Sequence, residues 1–454
     1  MTPDAMLDRY VAEYEKVQRA EAPPWLARKR AEALARFLDL GFPTTRDEEW
    51  RFTSVAPIAE QPFVLPAPQT AARVDVSAHR LPGAAVELVF IDGRYVAELS
   101  RTGAPGVRAG GLAEAALAHE GEVEPHLARI AAFDRQAFVA LNTAFLADGA
   151  SVHVLPRAVV REPIHLLFVA TGGEGSPAMS HPRALLVLGD QSQATVVETF
   201  AGAGERPYFT NAVTEIVLGG NAVLDHYRLQ VESAHGYHVG ATYLLAKRSA
   251  AAASHAITFG GALVRNDVVA VLAGEGSECT LNGLYLAAGD RLVDNHTTID
   301  HAKPHCGSRE VYKGILADRA RGVFNGKIIV RPDAQKTDAK QTSRALLLSQ
   351  DAQINTKPQL EIFANDVKCT HGAAVGQLDA EAVFYLRSRG LGDADARRLL
   401  IHAFAADVLD RMPLEPVRNR AEAILQRQLA RALPAAAAAL PTPAASVGES
   451  KGTS

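Results

Sequence analysis

The sequence predicts a mainly β fold, with a parallel β-helix core flanked by N-terminal and C-terminal helical regions. Three observations lead there. Residues 151–376 break into short apolar, β-branched runs such as "IHLLFVA", "ATVVETF", "AVTEIVLG" and "CTLNGLYLA". Each is too short for a helix and rich in strand formers. Glycine, aspartate, asparagine and serine punctuate the runs and no helical stretch separates them, which disfavours a βαβ sheet. The span is long for one antiparallel sandwich, the other architecture such runs allow. A solenoid grows by adding rungs that bury their inward residues against their neighbours.

The flanking elements follow from periodicity. "WLARKRAEALARFLDLG" sets Trp25, Leu26, Ala33, Leu34, Phe37 and Leu38 on one helical stripe, with Gly41 as the C′ residue and Pro43 as a stop. "FPTTRDEEWRFTSVAP" reads as a connector. "AVELVFIDGRYVAEL" predicts two short strands around an Asp-Gly turn, and 112–147 reads as helical. Residues 1–150 thus form an N-terminal helical and mixed region, and 151–378 the β-helix core.

Helical texture returns after Gln377. In "LDAEAVFYLRSRGL", Asp379 is the N-cap and Gly390 the C′ residue; further on, Leu399, Leu400, Ala403, Phe404 and Val408 fall at helical spacing. "PVRNRAEAILQRQLARAL" is a third helix. Residues 379–433 are therefore a C-terminal helical domain, placed either as a cap on the open end of the solenoid or as a small separate unit. The Ala/Pro/Ser stretch 434–454 is expected to be disordered.

The composition excludes several classes of function. Net charge is −4 and aromatics are 6% of residues, so no global basic field is present to hold nucleic acid. The start carries acids early and lacks an apolar h-region, and no run approaches the ~18 apolar residues of a membrane helix. The expectation is a cytoplasmic protein without a membrane or nucleic-acid partner. Three dispersed cysteines, Cys279, Cys306 and Cys369, make no disulfide framework and fall short of the usual Cys₄ set of a self-contained iron–sulfur cluster.

Two stretches carry candidate chemistry. "DNHTTIDHAKPHCGSREVYKG" holds Asp294, His296, Asp300, His301, His305, Cys306 and Glu310. No spacing there matches a Cys/His zinc pattern, and His296 and His301 would face opposite sides of a strand. A polar seam satisfied by hydrogen bonds is the favoured reading, with a metal site as the alternative. "NDVKCTHGAAVG" sets Cys369 and His371 two positions apart, on one face of a strand. They are two ligands where a closed site needs about four. The remainder would come from far along the chain or from another protein; otherwise the pair is an ordinary half-buried one. "GVFNGKIIV" lacks the spacing, the Ser/Thr and the following helix of a phosphate loop, and no Gly-x-Ser-x-Gly elbow offers a hydrolase nucleophile.

The strings "VDNHTTIDHAKPHCGSREVYKGIL", "GVFNGKIIV", "AQKTDAKQTSRALLLS" and "TKPQLEIFANDVKCTHGAAVGQLDAEAVFYLRSRGL", in that order, resemble the SufB/SufD family of iron–sulfur cluster assembly proteins across roughly residues 150–415. The resemblance implies a right-handed β-helix and a non-enzymatic scaffold subunit. Its implied partners are a SufB-like paralogue and a SufC-like ABC ATPase. The ATPase would dock on 379–433 and would alone handle ATP; a homodimer is the alternative assembly for the chain by itself. Ser343 stands where SufB carries a cysteine, and His371-Gly372-Ala373 stands where SufB has His-Glu-Ala, so the chain leans toward the SufD branch. By resemblance, His371 contributes to a transient cluster shared with SufB. Cys369 lies beside it as ligand, redox partner or bystander. Rival readings are a carbohydrate-active β-helix enzyme and a stand-alone metal enzyme built on His296, His301, His305 and Cys306.

Overall fold

The computed structural model describes residues 3–67, 74–173 and 175–432. Helices α1 (Pro3–Gln18) and α2 (Pro24–Leu40) open the chain, and the short α3 (Ala56–Ala59) follows the connector. α2 buries Trp25, Leu26, Ala33 and Phe37 and leaves Leu34 and Leu38 half-buried; it stops at Gly41, φ 61°, whose N–H bonds the Phe37 carbonyl. The expected hairpin forms between β1 (Val86–Ile91) and β2 (Arg94–Tyr95), which pair antiparallel. Its turn residues Asp92 and Gly93 sit at φ 48° and 81°, the left-handed pair that a two-residue hairpin loop demands. After β3 (Val107–Gly111), the helical stretch resolves into α4 (Leu112–Ala118), α5 (Glu120–Val123) and α6 (Ala137–Ala144).

The remaining strands wind into a two-sheeted β-solenoid of about seven turns. One sheet continues β1 and β2 through β5 (Ile164–Ala170), β8 (Gln193–Gly202), β10 (Val223–Val231), β12 (Ala251–Thr258), β14 (Glu278–Ala287), β16 (Gly307–Leu316), β18 (Asp338–Leu347) and β20 (Lys368–Gly376). The other continues β3 through β4 (Gly149–Val154), β7 (Arg183–Leu188), β9 (Tyr208–Leu218), β11 (Gly236–Ala246), β13 (Leu263–Leu272), β15 (Leu292–His301), β17 (Arg321–Val330) and β19 (Gln353–Ile362). The short β6 (Ala178–Ser180) joins β9. Each core strand pairs in parallel with the strand one turn away; Leu281, for example, faces Glu310, which faces Gln341, which faces His371.

Like residues therefore stack in columns. Phe90, Phe168 and Phe200 occupy one interior register position and stack at 4.7 and 4.9 Å between ring centroids. The corners stack too. Gln191, Asn221, Ser249, Gly276, His305 and Lys336 all sit at positive φ, and each donates its N–H to a carbonyl in the corner one turn on. His305 is thus one rung of a corner ladder.

Both outer faces of the solenoid carry helices. The N-terminal helices and α6 cover the β9–β15 face through Tyr10, Phe37, Trp50, Phe138, Phe209 and Val239. On the opposite face, α8 (Asp393–Leu409) and α9 (Glu415–Ala432) pack on Tyr227, Leu229, Ile257, Leu284, Ile315 and Leu346. α7 (Ala380–Ser388) precedes them, with the Asp379 carboxylate accepting the N–H groups of Glu381 and Ala382 as its cap.

Two sequence expectations need correction here. The last helices do not cap the end of the solenoid; α8 and α9 lie along its side, because an outward apolar patch across β10–β18 offers their stripe a longer partner than the final rung does. The stripe of α8 is rotated only in part from the one expected: Val408 is buried and Leu400 and Phe404 half-buried as expected. Ala396, Ile401, Ala405, Val408 and Leu409 are buried, whereas Leu399 is 49% exposed and Ala403 faces solvent.

Candidate functional site

With the helices on its side, the solenoid ends in a rung that no element among the described residues covers. Among the described residues β19 pairs only with β17 and β20 only with β18, so both terminal strands present a free edge at the same end. The buried inward columns continue into this rung, where their residues become half-buried or exposed. On β20, Cys369, His371, Ala373 and Val375 continue the inward column positions of Ala339, Gln341, Ser343 and Ala345, all buried one turn below. On β19, Thr356, Pro358, Leu360 and Ile362 continue Phe324, Gly326, Ile328 and Val330.

His371 and Cys369 share a face of β20, as their spacing predicts, but meet different surroundings. His371 is exposed and makes no hydrogen bond or ion pair among the described residues. Cys369 is half-buried against Ile328, Val330, Ala339 and Ala364. Burial pushes its thiol up, with Asp338 adding to the shift, so the protonated form prevails here. Beneath His371, Gln341 donates from Nε2 to Glu310 Oε2 at 2.7 Å, and burial pushes the Glu310 carboxyl up to about 7. Gln341 was not singled out in the sequence; only its stacking under His371 draws attention to it. Ser343 lies 3% exposed on the same inward face.

The His296 stretch has a different role. His301 points inward and bonds Ser308 at 2.9 Å, Cys306 lies in a buried corner, and His305 is exposed at its turn. His296 points outward, into the N-terminal connector. Its ring joins Asp294 at 3.0 Å and Glu49 at 3.2 Å. Arg265 bonds Asp294 at 2.7 Å and lies over the Trp50 ring at 4.2 Å, and Thr53 donates to Asp294 at 2.6 Å. Among the described residues, no group of three or more His, Cys, Asp or Glu side chains could hold a metal ion. Within the stretch, Asp294 and His296, with Arg265, form a clamp that fixes "RDEEWRFT" to the solenoid.

That clamp is sensitive to alkali. Burial alone would lower the His296 imidazole, but Asp294, with help from Glu49, lifts it to about 9. A pKa raised above the unfolded value of ~6.5 contributes stability that is complete below pH ~6.5 and is lost as pH climbs through 9. Urea midpoints should therefore fall between neutral and strongly alkaline pH by the equivalent of about 3 kcal/mol. The fall should be much smaller in His296→Gln; equal falls in both proteins would remove the clamp.

The chain matches two family models. The SufBD protein N-terminal region covers residues 2–166, and the SUF system FeS cluster assembly SufBD core domain covers 168–404. It is 36% identical over 408 residues to the iron–sulfur cluster assembly SufBD family protein slr0076 of Synechocystis, covering 87% of this chain and 89% of that protein. It is 34% identical over 397 residues to the iron–sulfur cluster assembly protein SufD of Escherichia coli, covering 87% of this chain and 91% of that one. The SufD of Bacillus subtilis is 26% identical over 303 residues, 65% of this chain and 68% of that protein. With both models together spanning nearly the whole described fold, the chain belongs to the SufBD family of iron–sulfur cluster assembly proteins and is SufD-like.

Proposed function

We propose that this chain is a non-enzymatic scaffold subunit that completes a composite cluster site with a SufB-like paralogue. The observation that carries the reading is the last rung, which nothing among the described residues covers, with His371 unpartnered among them on its inward face. A second solenoid end can continue both sheets there by strand addition, satisfying the free edges. His371 then supplies a neutral imidazole and the partner the thiolate and carboxylate ligands. The cluster is cargo: its ligands are split between two chains, so separating the chains weakens chelation and releases it. The raised thiol of Cys369 suits a neighbour of the site better than a ready ligand.

In this reading 1–150 and 151–378 form one scaffold, and 379–433 is where a SufC-like ATPase docks in a cytoplasmic complex; 434–454 lie outside the described residues. Support for the docking face comes from Phe384, Tyr385 and Leu399, 72%, 57% and 49% exposed on α7 and α8. Phe384→Asp should weaken ATPase binding at least tenfold, read by calorimetry, and leave pairing with the SufB-like chain intact. Loss of both together would mean general unfolding instead.

The test of the whole reading is iron and acid-labile sulfide per complex, co-expressed with both partners and purified without oxygen. His371→Ala should lose most of both at unchanged subunit stoichiometry. Equal iron in wild type and variant would return His371 to an ordinary edge residue.

A further inference from the structure

In the column that ends at His371, the Gln341 amide oxygen and the His371 ring are matched in hydrogen bonding and lack partners among the described residues. Glu310 on β16, Gln341 on β18 and His371 on β20 share one register position. Glu310 and Gln341 are 1% and 2% exposed. Above its titration near 7 the Glu310 carboxylate is ionised and only accepts hydrogen bonds, so there the amide atom 2.7 Å from it is the nitrogen of Gln341. That commits the amide: Nε2 is spent on Glu310, and Oε1 is left buried with no partner. A buried acceptor without a donor is costly and calls for an explanation.

The opposite wall reinforces this placement. Gly326 on β17 faces the amide, and a Cβ there would lie 2.3 Å from Gln341 Nε2. The missing side chain makes the room that the amide fills. Above it, an imidazole that ligates through one ring nitrogen carries its proton on the other, and that N–H needs an acceptor to fix the ring. His371, one turn up, has the donor and no partner; Gln341 has the acceptor and no partner.

We propose that Gln341 is the positioning residue for His371, its Oε1 accepting the N–H of the non-ligating ring nitrogen while Glu310 holds the amide in that orientation. The inference rests on the reading of His371 as a cluster ligand and extends it inward by two turns of the solenoid. Neither Gln341 nor Glu310 touches the cluster.

The test is pulsed electron paramagnetic resonance of the one-electron-reduced cluster in the anaerobic three-subunit complex. It is run at mildly alkaline pH, above the Glu310 titration near 7. The quadrupole coupling of the remote imidazole nitrogen reports its hydrogen bond. Wild type should show a hydrogen-bonded remote nitrogen. Gln341→Leu should shift it to the free-imidazole value and shorten cluster lifetime several-fold. Glu310→Gln should broaden it, since two amides no longer fix one orientation. If Gln341→Leu fails to assemble, Gly326→Ala displaces the same amide and carries the same expectation.

Imidazole coupling present in wild type but unmoved in the assembled variants would overturn the positioning role and leave the ligand reading standing. No imidazole coupling even in wild type would overturn both.

Discussion

Ile362→Asp combined with Val375→Asp should leave the isolated chain folded and abolish measurable association with a SufB-like partner. Both residues continue inward apolar columns into the last rung, where they are 39% and 49% exposed. In the rung below, these two positions are apolar and buried, as Val330 and Ala345, so an unpaired carboxylate there would strongly destabilise the fold. Here it meets water, so the thermal midpoint should barely move. On association the same carboxylates would be enclosed against a second solenoid end. Hot-spot positions at the centre of an interface cost about 2 kcal/mol or more when disrupted, which is over tenfold in affinity for each. Titration calorimetry with the purified partner reads this directly. Unchanged affinity would move the interface away from the open rung, and loss of the fold would show that the rung is not open.

The second large effect concerns stability. Arg183 and Glu215 are both fully buried, joined at 3.1 and 2.6 Å through Nε and Nη2. Glu215 also accepts the backbone N–H groups of Ala128, Arg129 and Ala131, at 2.7, 3.2 and 3.1 Å. Arg183 also donates to Asn142 and Thr143 on α6. The pair therefore ties the loop before α6, and α6 itself, to the outside of β7 and β9. Arg183→Ala strands a buried carboxylate and should cost about 3–5 kcal/mol in urea unfolding. Arg319→Ala, which breaks an exposed pair with Asp290, should leave the midpoint where it is. Equal effects from the two substitutions would contradict the knot.

The solenoid was legible because its signals are local. Short β-branched runs, the Asp92-Gly93 turn, the Asp379 cap and the Gly41 stop each depend on neighbours a few positions away. The clamp was not legible, because Glu49 and His296 are 247 positions apart and nothing in either stretch names the other. The same distance problem misplaced the last helices. Whether they cover an end or a side depends on Tyr227, Leu229, Ile257, Leu284, Ile315 and Leu346 forming one outward apolar patch across neighbouring columns, and that patch exists only once the register is known. The α8 stripe was partly misread for the same reason: a helix rich in apolar residues offers several stripes, and the sheet selects one.

At the candidate site, spacing placed Cys369 and His371 on one face of a strand, and the family resemblance pointed to His371. Neither could show that the strand ends the solenoid, or that Glu310 and Gln341 lie in register beneath it. Stacking from rung to rung is the information a single sequence of irregular turns does not print.

The central claim is that His371 is a ligand of a cluster held between two chains. Its most direct test is to label only this chain with ¹⁵N-histidine, assemble the anaerobic complex with unlabelled partners, and record electron–nuclear double resonance of the reduced cluster. The account predicts a directly coupled ¹⁵N nucleus that disappears in His371→Ala. A loaded wild-type complex with no ¹⁵N coupling would contradict it.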